Sequence, residues 1–232
     1  MTSQGSKRET ASRDRERTRT EIILVATQEF ARHGFSGGRV DEIAARTRTT
    51  KRMIYYYFGS KRGLYLSVLE AAYEGIRSAE KKLDVTGLAP VDALRAIAES
   101  TYEHHTTHRD FIRLVATENI HQAENIRESE ELARLNEGAV NILEEVLQRG
   151  IASGQFRKDV DALDLHMLIS SYCVFGVANR YTFRTIFGRD MLAVERHERY
   201  RALVGAMAVA FMTDLGGPEL PQVSDPPALI TE

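Results

Sequence analysis

Proline is nearly absent from the body of this chain. Four of its five prolines lie within the last fifteen of its 232 residues, and only Pro90 precedes them. Proline breaks helix interiors, and the sequence lacks runs of alternating β-branched residues. The distribution therefore predicts an all-α fold, in which Pro90 occupies the first turn of a helix.

The composition indicates a folded protein of one large or two small domains. Hydrophobic residues make up 43% of the chain, which is enough for a core. The single cysteine, Cys173, excludes an internal disulfide and a multi-cysteine zinc site. The apolar stretch from Val204 to Met212 is too short to span a bilayer, and the N-terminus has no apolar signal segment. We therefore expect a soluble, cytoplasmic protein that does not enter a membrane.

The charge is unevenly distributed along the chain. The formal net charge is only −2, from 31 basic and 33 acidic residues. Residues 1–65 carry 14 Lys and Arg against 7 Asp and Glu, whereas residues 66–232 carry 17 against 26. A basic head on an acidic body indicates a polyanion as the partner of the head.

Helical periodicity divides the chain into four parts. Residues 1–18 are polar and basic, typical of a flexible basic arm or of a plain solvated tail. Residues 19–65 hold three helices: about Thr20 to His33, Val40 to Thr47, and Lys51 to Phe58. Residues 66–215 form the body, and the Pro-rich residues 216–232 predict a disordered tail.

Six helices are predicted to build the body. The first begins near residue 61 and ends near residue 83. The other five cover approximately residues 90–106, 109–119, 126–152, 161–187 and 191–215.

The helix predicted over Lys51 to Phe58 has two different faces. At 100° per residue, Ile54 and Phe58 point to one side, with Tyr57 beside them. The opposite side carries two cations and two phenols: Lys51, Arg52, Tyr55 and Tyr56. These groups suit base edges and phosphates in a DNA major groove, although an exposed charged helix has the same pattern. A preceding short helix and a three-residue turn match a helix-turn-helix.

These residues resemble the N-terminal signature of the tetracycline-repressor (TetR) family of transcriptional regulators. The similar segments are Gly34-Phe35, Val40 to Ala45, Ile54 to Phe58, and Ser60-Lys61, and the run from Lys51 to Lys61 is the most specific of them. The resemblance implies a DNA-binding head and a helical body that binds an effector and forms a homodimer. It implies a ligand-responsive regulator, usually a repressor released from double-stranded operator DNA by a small molecule. The DNA-binding residues it implies, together with Arg39, are Thr49, Thr50, Lys51, Arg52, Tyr55, Tyr56, Tyr57 and Lys61.

The head departs from the family pattern in two places. Gly38-Arg39 replaces the usual Ser or Thr cap of the second helix, and Arg39 is free to reach a phosphate instead. Thr47-Arg48-Thr49 replaces a common Ala-Gly-Val turn, so Arg48 either adopts a strained left-handed conformation or the turn is altered.

Polar residues on apolar stripes of the body are candidates for effector contacts. The segment from Arg109 to His121 is also similar to a branch of the family that includes regulators of pyrimidine and nicotinate catabolism. A buried polar group needs a partner, which is either an effector or another core residue. The candidate effector-binding residues are Tyr102, His105, Phe111, Val115, Glu118, Asn119, Tyr172 and Asn179.

The last two helices carry more apolar surface than a small body needs, which predicts a dimer interface, with intramolecular core as the alternative. The apolar residues are Leu165, Leu168, Ile169, Tyr172, Val177, Leu203, Met207, Ala210 and Phe211. The small residues Ala202, Gly205, Ala206 and Ala208 favour close helix approach.

Catalytic and metal-binding patterns are weak. The sequence has no Gly-rich phosphate loop, nucleophile elbow or HExxH motif, so we expect neither an enzyme nor a cofactor. His104 and His108 share a helix face, with His105 and His121 nearby, but lack a third ligand at metal spacing. The alternative to a DNA-binding regulator is a small-molecule-binding or scaffold dimer whose head does not bind DNA.

Overall fold

A computed structural model describes residues 3–136 and 140–221, and all regular structure within them is helical. Eleven α-helices are found there: α1 Ser3–Gly37, α2 Val40–Arg46, α3 Lys51–Phe58, α4 Lys61–Lys82, α5 Pro90–Thr107, α6 Arg109–Ile120, α7 Glu130–Asn136, α8 Asn141–Ala152, α9 Ala162–Ala178, α10 Arg180–Phe187 and α11 Val194–Thr213. A short 3-10 helix, Ile126–Glu128, precedes α7. The predicted all-α class is confirmed.

The first helix is longer than its sequence pattern predicts. The predicted start near Thr20 is wrong, because α1 is helical from Ser3 onward and includes most of the predicted arm. No proline interrupts this stretch, and Lys, Arg and Glu are good helix formers. The predicted break at Gly34 is confirmed by its non-helical φ of 68° and ψ of 178°.

Two helices predicted for the body are each divided. The predicted helix over residues 126–152 comprises the 3-10 helix, α7 and α8. The predicted helix over residues 161–187 is divided at Asn179 into α9 and α10, which meet at a bend of 70°. The described part of the body therefore has eight α-helices, α4 to α11, and not six. The predicted tail, residues 216–232, is described only as far as residue 221, where it is not helical.

The core of the head extends into the body. Phe30, Ile43 and Ile54 pack with Leu64 and Tyr65 of α4 around one fully buried cluster. Leu114 of α6 and Leu132 of α7 join the same cluster. The predicted boundary at residue 65 lies inside α4, so the head and the body are joined by a continuous helix and a shared core.

A second core lies between α5, α8, α9 and α11, with α5 at its centre. Gly205 allows α11 to lie close to α5, because a Cβ there would lie 3.1 Å from the side chains of Arg95 and Glu99. Among the described residues, no single helix is both long and apolar enough to cross a bilayer, and only α9 and α10 taken together meet those limits.

Candidate functional site

Helix α3 has the two faces that its sequence predicts. Ile54 and Phe58 are buried against the head, and Tyr57 is half-buried. Thr50 caps the helix, because its hydroxyl accepts a hydrogen bond of 3.2 Å from the Met53 backbone N–H. The remaining face is exposed to solvent and carries Lys51, Arg52, Tyr55 and Tyr56.

The turn before α3 contains a left-handed residue at Arg48, the position that the sequence analysis identified. Arg48 has a φ of 51°, so it adopts the left-handed conformation that glycine favours. The buried Thr47 hydroxyl donates to the Ile43 carbonyl at 2.8 Å, which fixes the preceding residue. The turn is therefore preserved at the cost of some strain, and the first of the two sequence alternatives is confirmed.

The remaining predicted DNA-binding residues lie around α3. Arg39 is exposed and gives α2 no side-chain cap; its backbone N–H donates to Glu29 Oε1 at 3.1 Å. Thr49 is half-buried in the turn. The Lys61 ammonium donates to the Ser36 carbonyl at 3.1 Å and lies 5.2 Å from the centre of the Phe35 ring.

Two contributors to this surface were missed from the sequence. Asp41 of α2 forms an exposed ion pair of 3.2 Å with Lys51, so α2 holds the first cation of α3. Gly63 permits the tight junction between α3 and α4, because a Cβ there would lie 2.0 Å from the Phe58 carbonyl oxygen. The sequence signal that could have identified Gly63 is a glycine in the first turn of a helix, where helix propensity disfavours it.

Glu118 is buried as predicted, but protein groups satisfy it. Its carboxylate accepts hydrogen bonds from the Tyr65 hydroxyl at 2.8 Å and from the Asn125 side-chain amide at 3.0 Å. The backbone N–H groups of Asn125 and Ile126 donate to it at 3.2 and 3.3 Å. The alternative of mutual satisfaction within the core therefore applies to Glu118.

Three candidate effector residues lie in the centre of the body. Tyr102 is 3% exposed, and its hydroxyl has no hydrogen-bond partner among the described residues. Its ring lies 6.4 Å from that of the half-buried Tyr172, and burial raises the pKa of both phenols to about 12. His105 is buried, and its Nδ1 lies 2.8 Å from the Thr101 carbonyl oxygen. These residues form a polar interior at the contact of α5 with α9.

The other candidates are more exposed. Val115 is half-buried, while Asn119 is exposed and donates from its side chain to the Val115 carbonyl at 2.9 Å. The predicted burial of Asn179 on the stripe of Phe175 is wrong, since both are exposed. Helix α9 ends at Ala178, so Asn179 leaves the helical register and lies at the bend.

A cleft of about 900 Å³ lies between the head and the body. Helix α1 forms one wall, α4 lies at its base, and the end of α5, the start of α6 and the start of α10 form the other walls. Phe111 is the one predicted effector residue that lines it. The cleft also contains residues that were not predicted as effector contacts: Ile23, Leu24, His104, His108, Arg109, Arg113, Arg180 and Tyr181.

Two of the three histidines at the end of α5, His104 and His105, are buried, and only His108 is exposed. His104 is buried and stacks on the exposed His108, with ring centres 4.2 Å apart and planes 14° apart. Burial, and secondarily His108, lowers the pKa of His104 to about 4, so its ring is neutral at pH 7. Among the described residues, no group of three or more His, Cys, Asp or Glu side chains is arranged to hold a metal ion.

The predicted dimer residues are divided between core and surface. Leu165, Ile169 and Val177 are buried within the chain, and Gly205 and Ala208 face inward as well, so the core alternative applies to these five. Leu168, Tyr172 and Phe211 are half-buried. The exposed members of the predicted set are Ala202, Leu203, Ala206, Met207 and Ala210 of α11. Leu163, Met167 and Phe175 of α9 were not in that set but are exposed as well.

The sequence matches two models of one protein family. Residues 22–68 match the tetR family of bacterial regulatory proteins, and residues 90–208 match the tetracyclin repressor-like C-terminal domain. The chain is 37% identical over 176 residues to the HTH-type transcriptional repressor NicS of Pseudomonas putida, covering 76% of this chain and 83% of NicS. It is 38% identical over 107 residues to the HTH-type transcriptional repressor SCO4008 of Streptomyces coelicolor, covering 45% of this chain and 51% of SCO4008.

Solved structures share the fold. The Streptomyces coelicolor protein SCO4942, a proposed transcriptional regulator, superposes with a TM-score of 0.64 at 26% identity, covering 84% of this chain and 98% of that one. The regulator FadR of Bacillus subtilis, solved in complex with stearoyl-CoA, has a TM-score of 0.58 at 17% identity, covering 83% and 98%. The chain belongs to the tetR family of bacterial regulatory proteins and is a transcriptional regulator with a helix-turn-helix head.

Proposed function

We propose that this regulator is a homodimeric repressor that binds operator DNA through α3 and releases it when a small molecule binds the body. The observation that carries the proposal is the division of α3 into a buried apolar face and an exposed face of two cations and two phenols. The names of NicS and SCO4008, both called repressors, support repression as the outcome. Such a protein acts in the cytoplasm, where the chromosome lies, and needs no catalytic activity.

Each of the two cations and two phenols on the exposed face of α3 has a suitable role on DNA. The Arg52 guanidinium can donate two hydrogen bonds to O6 and N7 of a guanine, and Lys51 supplies a mobile cation once Asp41 releases it. Thr50 and Tyr55 lie beside them and would contact the base edges. The Tyr56 hydroxyl, with its side chain 69% exposed, is available to a phosphate.

Phosphate contacts from outside the exposed face of α3 would fix the orientation of that helix. Lys61 lies in the first turn of α4, where the helix N-terminus also favours an anion. Arg39 precedes α2, and its exposed side chain makes no capping hydrogen bond to that helix. Thr49 and Tyr57 are half-buried and therefore partly accessible. These four residues therefore complete the proposed DNA-binding set.

The exposed apolar stripes of α9 and α11 support a dimer. Leu163 and Met167 are 61% and 65% exposed on α9, and Leu203 and Met207 are each 40% exposed on α11. Pairing of these helices across a two-fold axis would bury apolar surface that is costly to leave in water. The same symmetry would place two α3 helices about 34–36 Å apart, or a multiple of that, on a pseudo-palindromic operator.

We place the effector in the body, in contact with the cleft beside α6 and with the polar interior behind it. Phe111 lines the cleft, and Tyr102, His105 and Tyr172 lie deeper in the body. Three more accessible residues complete the proposed set: the half-buried Val115 and the exposed Asn119 of α6, and the exposed Asn179 at the bend after α9. The position of Glu118 favours a supporting role for it, since its oxygens already accept four hydrogen bonds.

Binding to the DNA upstream of its own gene tests the proposal. Fluorescence anisotropy should show specific binding whose affinity falls steeply with salt, because phosphate contacts release counterions. Lys51→Ala with Arg52→Ala should abolish the preference for this DNA over random DNA. A matched control is Lys81→Ala with Lys82→Ala, which removes the same charge from exposed positions at the end of α4. If the parent protein shows no preference over random DNA at moderate salt, the proposal is wrong, and a dimer that does not bind DNA becomes the better interpretation.

A further inference from the structure

We propose that the cleft between head and body binds a small organic anion, with the anionic group on Arg109 and Arg113 and the apolar part on Phe111 and Leu24. This inference rests on the proposed function, because it names the chemical class and the location of the regulating molecule. The volume of about 900 Å³ lies within the range of small-molecule sites.

The charge of the cleft is opposite to that of the body around it. Three arginines line it, Arg109, Arg113 and Arg180, against a single carboxylate, Asp110. The chain from residue 66 onward has an excess of acidic residues, so this cluster of cations is a local exception. Clefts lined by one sign of charge attract ligands of the opposite sign.

Arg109 is the arginine best placed to bind an anion. Its Nε donates to the Thr106 carbonyl at 2.9 Å, and it forms no ion pair with a carboxylate in the described part of the chain. By contrast, Arg180 makes two hydrogen bonds of 2.9 and 2.7 Å to Asp190. Arg109 is half-buried, so its charge is only partly hydrated and would gain from an anionic partner.

Arg113 stands at the mouth of the same cleft. It donates to Asp110 and to the Tyr181 hydroxyl, both at 3.2 Å, and its side chain is 42% exposed. These long, exposed contacts are weak, so an incoming carboxylate or phosphate can replace them. Because Tyr181 belongs to α10, binding there would also act on that helix.

The apolar part of the cleft fits the rest of such a ligand. Phe111 is 9% exposed at the start of α6, and Leu24 of α1 is 61% exposed on the facing wall. The stacked rings of His104 and His108 add a flat surface. A molecule with both an anionic group and an apolar body would cover Leu24 and Phe111 while reaching the arginines.

The position of the cleft gives the ligand a direct effect on the head. Leu24 belongs to α1, whose later turns pack against α2 and carry Phe30 into the core of the head. The arginines belong to α6 and α10 of the body. A ligand that contacts both walls binds most tightly to one separation of α1 from α6, and it therefore shifts the population towards that arrangement.

Calorimetric titration of the whole chain with matched probes tests the inference without using DNA. Benzoate and octanoate would be compared with benzamide and octanamide, which keep the apolar body and lose the charge. Phenyl phosphate distinguishes a phosphate from a carboxylate site. We expect at least one anion to bind with a Kd below about 1 mM and its neutral counterpart to bind at least about tenfold more weakly.

Variants then locate the site. Arg109→Gln should weaken the best anion about tenfold or more, the loss expected for a charge-assisted hydrogen bond. Arg113→Gln, at an exposed position, serves the same purpose if Arg109→Gln does not fold. The control is Arg127→Gln, because Arg127 also donates to a backbone carbonyl, that of Gln122, at 2.9 Å but lies outside the cleft.

The outcomes separate this inference from the proposed function. Failure of every anion to bind below about 1 mM, equal binding of the amides, or equal loss in the Arg127 variant would overturn the inference. Specific operator binding, measured separately, would still support the DNA-binding part of the proposed function. If the protein bound anions in an Arg109-dependent manner but did not bind operator DNA, the inference would stand and the DNA-binding part of the proposed function would be wrong.

Discussion

The Tyr65 hydroxyl donates a hydrogen bond of 2.8 Å to the Glu118 carboxylate, and this contact joins α4 to α6. Both residues are almost fully buried, and burial together with Glu118 raises the pKa of the Tyr65 phenol well above its ordinary range. The Tyr65 ring packs edge-on against Phe30, with ring centres 5.0 Å apart, and lies 5.2 Å from Phe35. One buried contact therefore connects the body to the core of the DNA-binding head.

Loss of this hydrogen bond should destabilise the fold. We expect Tyr65→Phe to lower the free energy of unfolding by about 1–3 kcal/mol, because it removes a donor from a buried carboxylate. Urea denaturation measures the change. In a Glu118→Gln background the same substitution should cost less, since the two residues are coupled.

The matched control for that cycle is Asn119→Ala. Asn119 is the neighbour of Glu118 but is exposed, and its side chain makes a local bond to the Val115 carbonyl. We expect this variant to stay within about 0.5 kcal/mol of the parent. A Tyr65→Phe protein as stable as the parent would show that the hydrogen bond contributes nothing net.

Helix bounds and buried helix faces that depend on residues close together in the sequence were predictable. Helix α3 has the predicted bounds, because Thr50 caps its start and Gly59, with a φ of 73°, ends it. The burial of Ile54 and Glu118 follows from helical periodicity, which identifies the inward face of each helix.

Features that depend on distant contacts were not predictable. Periodicity placed Glu118 inside but could not identify Tyr65, which lies 53 residues earlier, as its partner. The cleft combines α1 with α6 and α10, so no local pattern marked Arg109 as part of it. Asn179 was misplaced because the apolar pattern of α9 continues past the residue where the helix ends.

Replacement of Arg48 by glycine should stabilise the head. Arg48 has a φ of 51°, which costs a non-glycine residue roughly 1 kcal/mol. Arg48→Ala removes the charge and keeps the strain, so comparison of Arg48→Gly with Arg48→Ala isolates the backbone effect. We expect Arg48→Gly to be more stable than Arg48→Ala by about 0.5–1 kcal/mol in thermal unfolding. This value allows for the greater conformational entropy of glycine in the unfolded state. Equal stability of the two variants would mean that the turn is not strained.

Acidification should destabilise the body through its buried histidines. Burial lowers the pKa of His104 and of His105 from 6.5 to about 4. Between these values the unfolded chain binds more protons than the folded one, so the stability present above pH 6.5 is lost as the pH falls towards 4. At about 1.4 kcal/mol per pKa unit, the loss is on the order of 3 kcal/mol for each histidine.

Denaturation curves from pH 7 to pH 4.5 measure that loss. The double variant His104→Gln with His105→Gln should show a flatter dependence of stability on pH than the parent. His121→Gln is the control, because it makes the same substitution at an exposed position outside the buried pair. A double variant with the slope of the parent would assign the acid sensitivity to other groups, among them His166, whose pKa burial also lowers.

The thiol of Cys173 should resist modification until the body opens. Cys173 is the only cysteine and is 1% exposed in the core between α5 and α9, where burial raises the pKa of its thiol to about 12. Iodoacetamide attacks the thiolate, so labelling at pH 8 requires both exposure and deprotonation. We expect the native protein to react more than about a hundredfold more slowly than Lys81→Cys in a Cys173→Ala background, which presents an exposed thiol on α4. In urea above the unfolding midpoint the two proteins should react at similar rates, and equal rates in the native state would contradict the burial of Cys173.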